Sequence, residues 1–135
     1  VKNLLAMDIL DLPANEYSYL FEPLIEVDSF VPKRMFGCLA CYLYGRLMLV
    51  LADGDSPWNG LLIAMEREQH QHLKSDFPDL KSHPVLGKWL YLSAERDDFD
   101  NIAQKIVRCC LKNDPRIGVV PKQKKRKKIP KNIRK

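Results

Sequence analysis

The chain has 135 residues, of which 46% are hydrophobic and 29% charged, and it carries a formal net charge of +5. That length accommodates one domain and an appendage, and that apolar content excludes a wholly disordered chain. The longest uncharged run, residues 35–45, falls far short of the roughly 18 apolar residues of a membrane span, so no membrane partner is expected.

In chain order, residues 1–15 form an arm in which Asn3 is placed to cap a short helix carrying Leu4, Leu5, Ile9 and Leu10, with Pro13 ending it. Asp8 and Asp11 interrupt its apolar character and no small-residue cleavage site follows, so it does not read as a secretory signal. A helix is predicted between Glu16 and Asp28, where Leu20, Phe21, Leu24 and Ile25 share a face; Pro23 delays or kinks it. Two apolar runs, Met35–Tyr44 and Leu47–Ala52, then flank Gly45-Arg46 and read as a hairpin turning there.

Residues 52–60 are a turn-rich loop, Leu61–Met65 a third strand, Glu66–Ser75 a helix and Lys88–Ser93 a further strand. The clearest helix spans Asp98–Lys112, with Asp97 as its cap and Phe99, Ile102, Ala103, Ile106, Cys109 and Cys110 on the apolar face. The order α-β-β-β-α-β-α implies an α+β domain over 16–114, a single antiparallel sheet with flanking helices.

The four cysteines lack a framework spacing, which reads as reduced thiols and a cytoplasmic setting. Cys38 and Cys41 have the C-x-x-C spacing of zinc or redox sites, but side chains alternate along a strand, so the two face opposite ways. The expected role is that of small hydrophobes, with a thiol- or metal-dependent enzyme through Cys38 or Cys41 the minor alternative. His70 and His72 do not share a helix face, and His83 precedes a proline in a loop. The Asp53–Asp55 loop fails as a calcium site because Pro57 and Ala64 stand where ligands are required. Neither a phosphate-binding glycine loop nor a nucleophile elbow occurs. No catalytic residue, cofactor, metal or small-molecule substrate is assigned, and the chain reads as a non-enzyme. Trp58, in the loop, is a candidate partner contact.

Both central strands are apolar on both faces, so either helices cover both or the second face is buried against another subunit, which makes a homodimer through the sheet an expectation. The charge is partitioned. Residues 1–114 carry −5, whereas 115–135 hold ten basic residues and no acid. This basic, flexible tail puts Lys122, Lys124, Lys125, Arg126, Lys127, Lys128, Lys131, Arg134 and Lys135 forward as nucleic-acid contacts, with docking on the acidic body or on a neighbouring molecule the alternative. With no aromatic residue for base stacking, phosphate neutralisation is the chemistry offered.

The run Arg34-Met35-Phe36-Gly37, followed by an alternating strand, Tyr44-Gly45-Arg46 and an apolar strand ending Ala52-Asp53, resembles the TfoX N-terminal-like family. The closing strand and Asp-started helix are similar too, over roughly residues 16–113. The resemblance implies a fold related to secretion chaperones and YjbR-like proteins, whose members bind proteins or dimerise without catalysis. It marks Arg34, Met35, Phe36, Gly37, Gly45 and Arg46 as structural. The chain departs from the family at Ala64-Met65-Glu66 and in having only the basic tail after Asp114, so transcriptional regulation is not carried over. The expectation is a regulatory or binding module whose tail contacts nucleic acid; the alternative is a protein-interaction or chaperone-like adaptor without nucleic-acid binding.

Overall fold

The computed structural model describes residues 12–121; residues 1–11 and 122–135 lie outside the described residues. Six strands form one sheet: Val31–Met35 (β1), Cys38–Leu43 (β2), Arg46–Asp53 (β3), Asn59–Ile63 (β4), Lys81–Ser82 (β5) and Leu90–Ser93 (β6). Their order is β1-β2-β3-β4-β6-β5 and every neighbouring pair is antiparallel. With them come a 3₁₀ segment at Ser18–Leu24, a 3₁₀ turn at Arg67–Gln69 running into His70–Asp76 (α1), and Phe99–Leu111 (α2). The architecture is the expected α+β one, a single antiparallel sheet with flanking helices.

Three local expectations are corrected. The stretch Met35–Tyr44 is not one strand, because Phe36 and Gly37 both adopt positive φ (+52° and +80°) and turn the chain from β1 into β2. The second turn lies at Tyr44-Gly45 (+54° and +79°), one residue earlier than Gly45-Arg46, and Arg46 opens β3. Both doublets follow the positive-φ pattern of tight hairpins, with an aromatic in the place usually taken by Asn or Asp. The segment expected as a first α-helix is 3₁₀ at Ser18–Leu24, with Pro23 inside it. Proline lacks the amide that the fourth-residue ladder needs and clashes with the preceding turn, so the tighter winding prevails.

The first sheet face carries the main core. Leu20, Phe21 and Leu24 of the 3₁₀ segment and Phe99, Ala103, Ile106, Val107 and Cys110 of α2 are buried there against Leu39, Cys41, Leu43, Leu49, Leu51, Leu61 and Ile63. A bulge in β3 strengthens this face: Cys41 pairs with Leu49 and Tyr42 with Leu47, leaving Met48 as the extra residue. Met48 and Leu49 therefore both enter the main core. The N-cap of α2 is Asp98, not Asp97, and its carboxylate accepts from Arg96 instead of capping the helix.

The chain leaves α2 through Asn113, at φ +60°, with Asp114 N–H donating to Cys109 and Asn113 N–H to Cys110. This is a Schellman ending with Asn in the left-handed position. Residues 115–119, grouped with the tail on charge, belong to the folded domain. Ile117 is fully buried, Gly118 N–H donates to the Ala64 carbonyl, and Val119 exchanges two hydrogen bonds with Leu47. Arg46 fixes this strap by donating to the Asp114 and Ile117 carbonyls, both at 3.2 Å. Arg116 pairs with Asp114 at 2.8 Å and with Asp76 of α1 at 2.7 Å. Leu12 is buried and Asn15 donates to the Leu51 carbonyl, so the last residues of the arm are also tied to the sheet.

Hydrogen bonds from the Arg116 guanidinium hold the Asp114 carboxyl below its ordinary range. A depressed folded-state value contributes stability that is present above the unfolded value and lost as pH falls through the folded one. Urea unfolding of the parent chain should therefore weaken more between roughly pH 5 and pH 2 than that of Asp114→Asn. Parallel curves for the two chains would contradict the pairing.

Candidate functional site

Among the described residues no helix lies on the second sheet face. Its residues Ala40, Leu47, Val50, Ala52, Leu62 and Ala64 are buried instead by side chains from loops and strand ends, among them Trp58, Leu86, Trp89, Tyr91 and Val119. Much of the surface for which a dimer partner was expected is thus covered from within the chain. The cover is incomplete. A cleft of about 790 Å³ opens over Val50 and Leu62, walled by the β1–β2 tip (Met35, Phe36, Cys38) on one side and by Trp58, Leu86 and Trp89 on the other. A cleft of this size, mostly apolar with few polar groups, is typical of a binding site. Asp53 and Lys88 are its two charged side chains, and neither forms an ion pair among the described residues.

The far wall is held by His83, 1% exposed. Its Nδ1 accepts from the Val85 and Leu86 amides at 3.0 Å, so the ring is the Nε2–H tautomer, and Nε2 donates to the Pro57 carbonyl at 2.8 Å. One imidazole therefore ties the 54–58 loop to the 83–89 loop. Trp58 lies against this ring at 4.5 Å and Tyr91 meets it edge-on at 5.1 Å. Trp58, the candidate partner contact, is half-buried in the cleft wall and is not a free loop tip. The Tyr91 hydroxyl donates to Asn59, and the Ser56–Pro57 peptide is cis.

The near wall ends in Phe36. It is 97% exposed and sits at φ +52°, a left-handed conformation that disfavours bulky L-residues by about 1–2 kcal/mol. Tyr44 shares that strain at the other turn but has a structural reason for it: its hydroxyl donates to the Leu111 carbonyl at 2.7 Å and its ring packs on the main core. Among the described residues Phe36 makes no such contact. The strained turn thus places a solvent-exposed aromatic beside an open apolar cleft.

Of the other sequence candidates, Arg46 and Gly45 are structural, as described, and Met35 lines the cleft. Arg34 lies on β1, an edge strand whose Pro32, Lys33 and Arg34 discourage pairing with another sheet. The tail residues Lys122 to Lys135 lie outside the described residues. Cys38 and Cys41 do face opposite ways: Cys41 is fully buried in the main core, whereas Cys38 is half-buried on the cleft side. Burial pushes the Cys41 thiol up to about 12, and burial with Asp53 nearby raises that of Cys38. Cys109 and Cys110 are raised as well, chiefly by burial. Among the described residues there is no cluster of three His, Cys, Asp or Glu fit to hold a metal, and no helix long and apolar enough to cross a membrane. The roles of Phe36, His83 and Trp89 were not read from the sequence; the Phe36-Gly37 doublet was the available sign of a turn.

Comparison with protein-family models, curated proteins and solved structures yields no match to this chain.

The raised thiols give a direct test. At pH 8, Cys41 should react with a disulfide reagent at least about thirtyfold more slowly than an unperturbed thiol, the loss of thiolate outweighing the greater nucleophilicity of a more basic sulfur. A thiol count in the native chain against the denatured one reads this. Four thiols reacting at the free-cysteine rate without unfolding would contradict the buried assignment.

Proposed function

We propose that this chain is a non-catalytic interaction module whose cleft takes an apolar stretch of a protein partner. The observation that carries the proposal is Phe36, strained in its backbone and 97% exposed at the lip of the cleft. An apolar floor and tryptophan walls suit two or three large apolar side chains of a peptide, with Phe36 closing on them. The reading agrees with the resemblance to the TfoX N-terminal-like family, whose folds bind proteins or dimerise. Four cysteines without a disulfide fit a cytoplasmic setting. The elevated thiols and the opposed faces of Cys38 and Cys41 weigh against the thiol-enzyme alternative.

Peptides selected against the full chain from a random library supply the test. They should be rich in aromatic and branched aliphatic residues, and Phe36→Asn should weaken their binding at least about tenfold while raising stability by roughly 0.5–1 kcal/mol, since Asn tolerates the left-handed turn. Tyr44→Asn should lower stability, because it removes the bond to Leu111. Peptide affinity unchanged by Phe36→Asn would remove the proposal.

A second surface is favoured by the charge partition: nine Lys and Arg and no acid in 122–135, against −5 for residues 1–114. This segment is proposed to contact nucleic acid through its phosphates. Binding should then weaken with salt, log K against log salt having a slope of about −4 or steeper. Substituting Lys124, Lys125, Arg126, Lys127 and Lys128 by Gln should flatten that slope. A slope near zero in the parent chain would rule the contact out.

A further inference from the structure

The cleft and the basic segment are complementary, and we infer that residues 122–135 of the same molecule dock along the second sheet face and fill the cleft when no partner is bound. The inference rests on reading the cleft as a binding site.

Position is the first ground. Val119 is bridged to Leu47 and packs into the second-face cluster, so the described residues end, at Pro121, two residues after an anchor on the face that holds the cleft. Leu47 and Asp53 stand at opposite ends of β3, about 20 Å apart at strand rise, and the eight residues Lys122–Ile129 span about 26 Å when extended.

Chemistry is the second ground. The cleft is apolar, with the Asp53 carboxylate and the Lys88 ammonium in its wall, so the negative charge that would draw a basic segment lies at the end of the sheet. Glu16, Asp55, Glu95 and Asp97 lie at the same end of the sheet, in or beside the β3–β4 and β6–α2 connections. None of these five carboxylates forms an ion pair among the described residues. Residues 122–135 offer what such a surface lacks, Ile129, Pro130 and Ile133 spaced among nine basic side chains.

Tethering then favours the chain's own segment over any free peptide, because the effective concentration is of millimolar order. A polyanion that drew the segment away would uncover the cleft, so the two surfaces would compete for one tail.

The chain's two tryptophans, Trp58 and Trp89, both line the cleft, so acrylamide quenching of their fluorescence reports on it alone. In the full chain, quenching should rise at least about twofold from roughly 0.01 M to 1 M salt, as the Debye length falls from ~30 to ~3 Å. The full chain carrying K124Q, K125Q, R126Q, K127Q and K128Q should quench at the higher level at both salts, and the parent's response should not depend on protein concentration. Equal quenching of the two chains at low salt would overturn the inference. So would a salt response that grows with protein concentration, which would assign the segment to a second copy. No peptide is present in these measurements, so they succeed or fail separately from the peptide selection.

Discussion

A sheet that is apolar on both faces, with helices on only one among the described residues, is the constraint from which the rest of this structure follows. β3 shows it most sharply: six of its eight residues, Leu47 to Ala52, are buried. The 3₁₀ segment and α2 cover the first face, and among the described residues nothing of comparable size covers the second. Small residues reduce the second face's demand, since Ala40, Ala52 and Ala64 present little surface to cover. What remains is closed by single side chains, and the place they do not reach is the cleft.

The loops that supply this cover are held by polar groups. His83 satisfies three backbone groups at once and so fixes the relation of Trp58 to Leu86 and Trp89. At the other end, Arg46 and Arg116 hold the 114–119 strap so that Val119 seals the start of β3. Removing either device would expose apolar sheet and not merely a loop. A fold built this way has one rigid side, with dense helix-to-sheet packing, and one side whose shape depends on a few hydrogen bonds. Binding is more readily accommodated on the second, where less packing must be given up.

Much of the architecture was legible in the sequence because it rests on periodicity. The alternation along residues 38–43 correctly separates Cys38 from Cys41, and the apolar stripe of 99–110 gives α2. The turns were misplaced for a physical reason. Positive φ at Phe36 and Tyr44 contradicts local preference, so two aromatics read as strand when they stand in turns. The strap was missed because Arg116 was counted as charge, whereas it acts as a geometric clamp. The cleft was not legible at all. It depends on Trp58, Leu86 and Trp89 arriving from two loops that His83 joins, and nothing in the spacing of these residues announces the joint. The two-sided apolar strands did signal that a second face needed covering, and the structure locates where that cover stops.

The central claim is that the second face accepts an apolar ligand once residues 122–135 are drawn off it, while the first is sealed. Methyl chemical shifts of the full chain, recorded at roughly 1 M salt to draw residues 122–135 off the cleft as a neutral apolar dye such as N-phenyl-1-naphthylamine is added, separate the faces directly. The account predicts saturable shifts at Val50, Leu62 and Leu86, with Leu49, Leu61 and Ile106 unmoved. Shifts spread equally over both sets, or none at either, would contradict it.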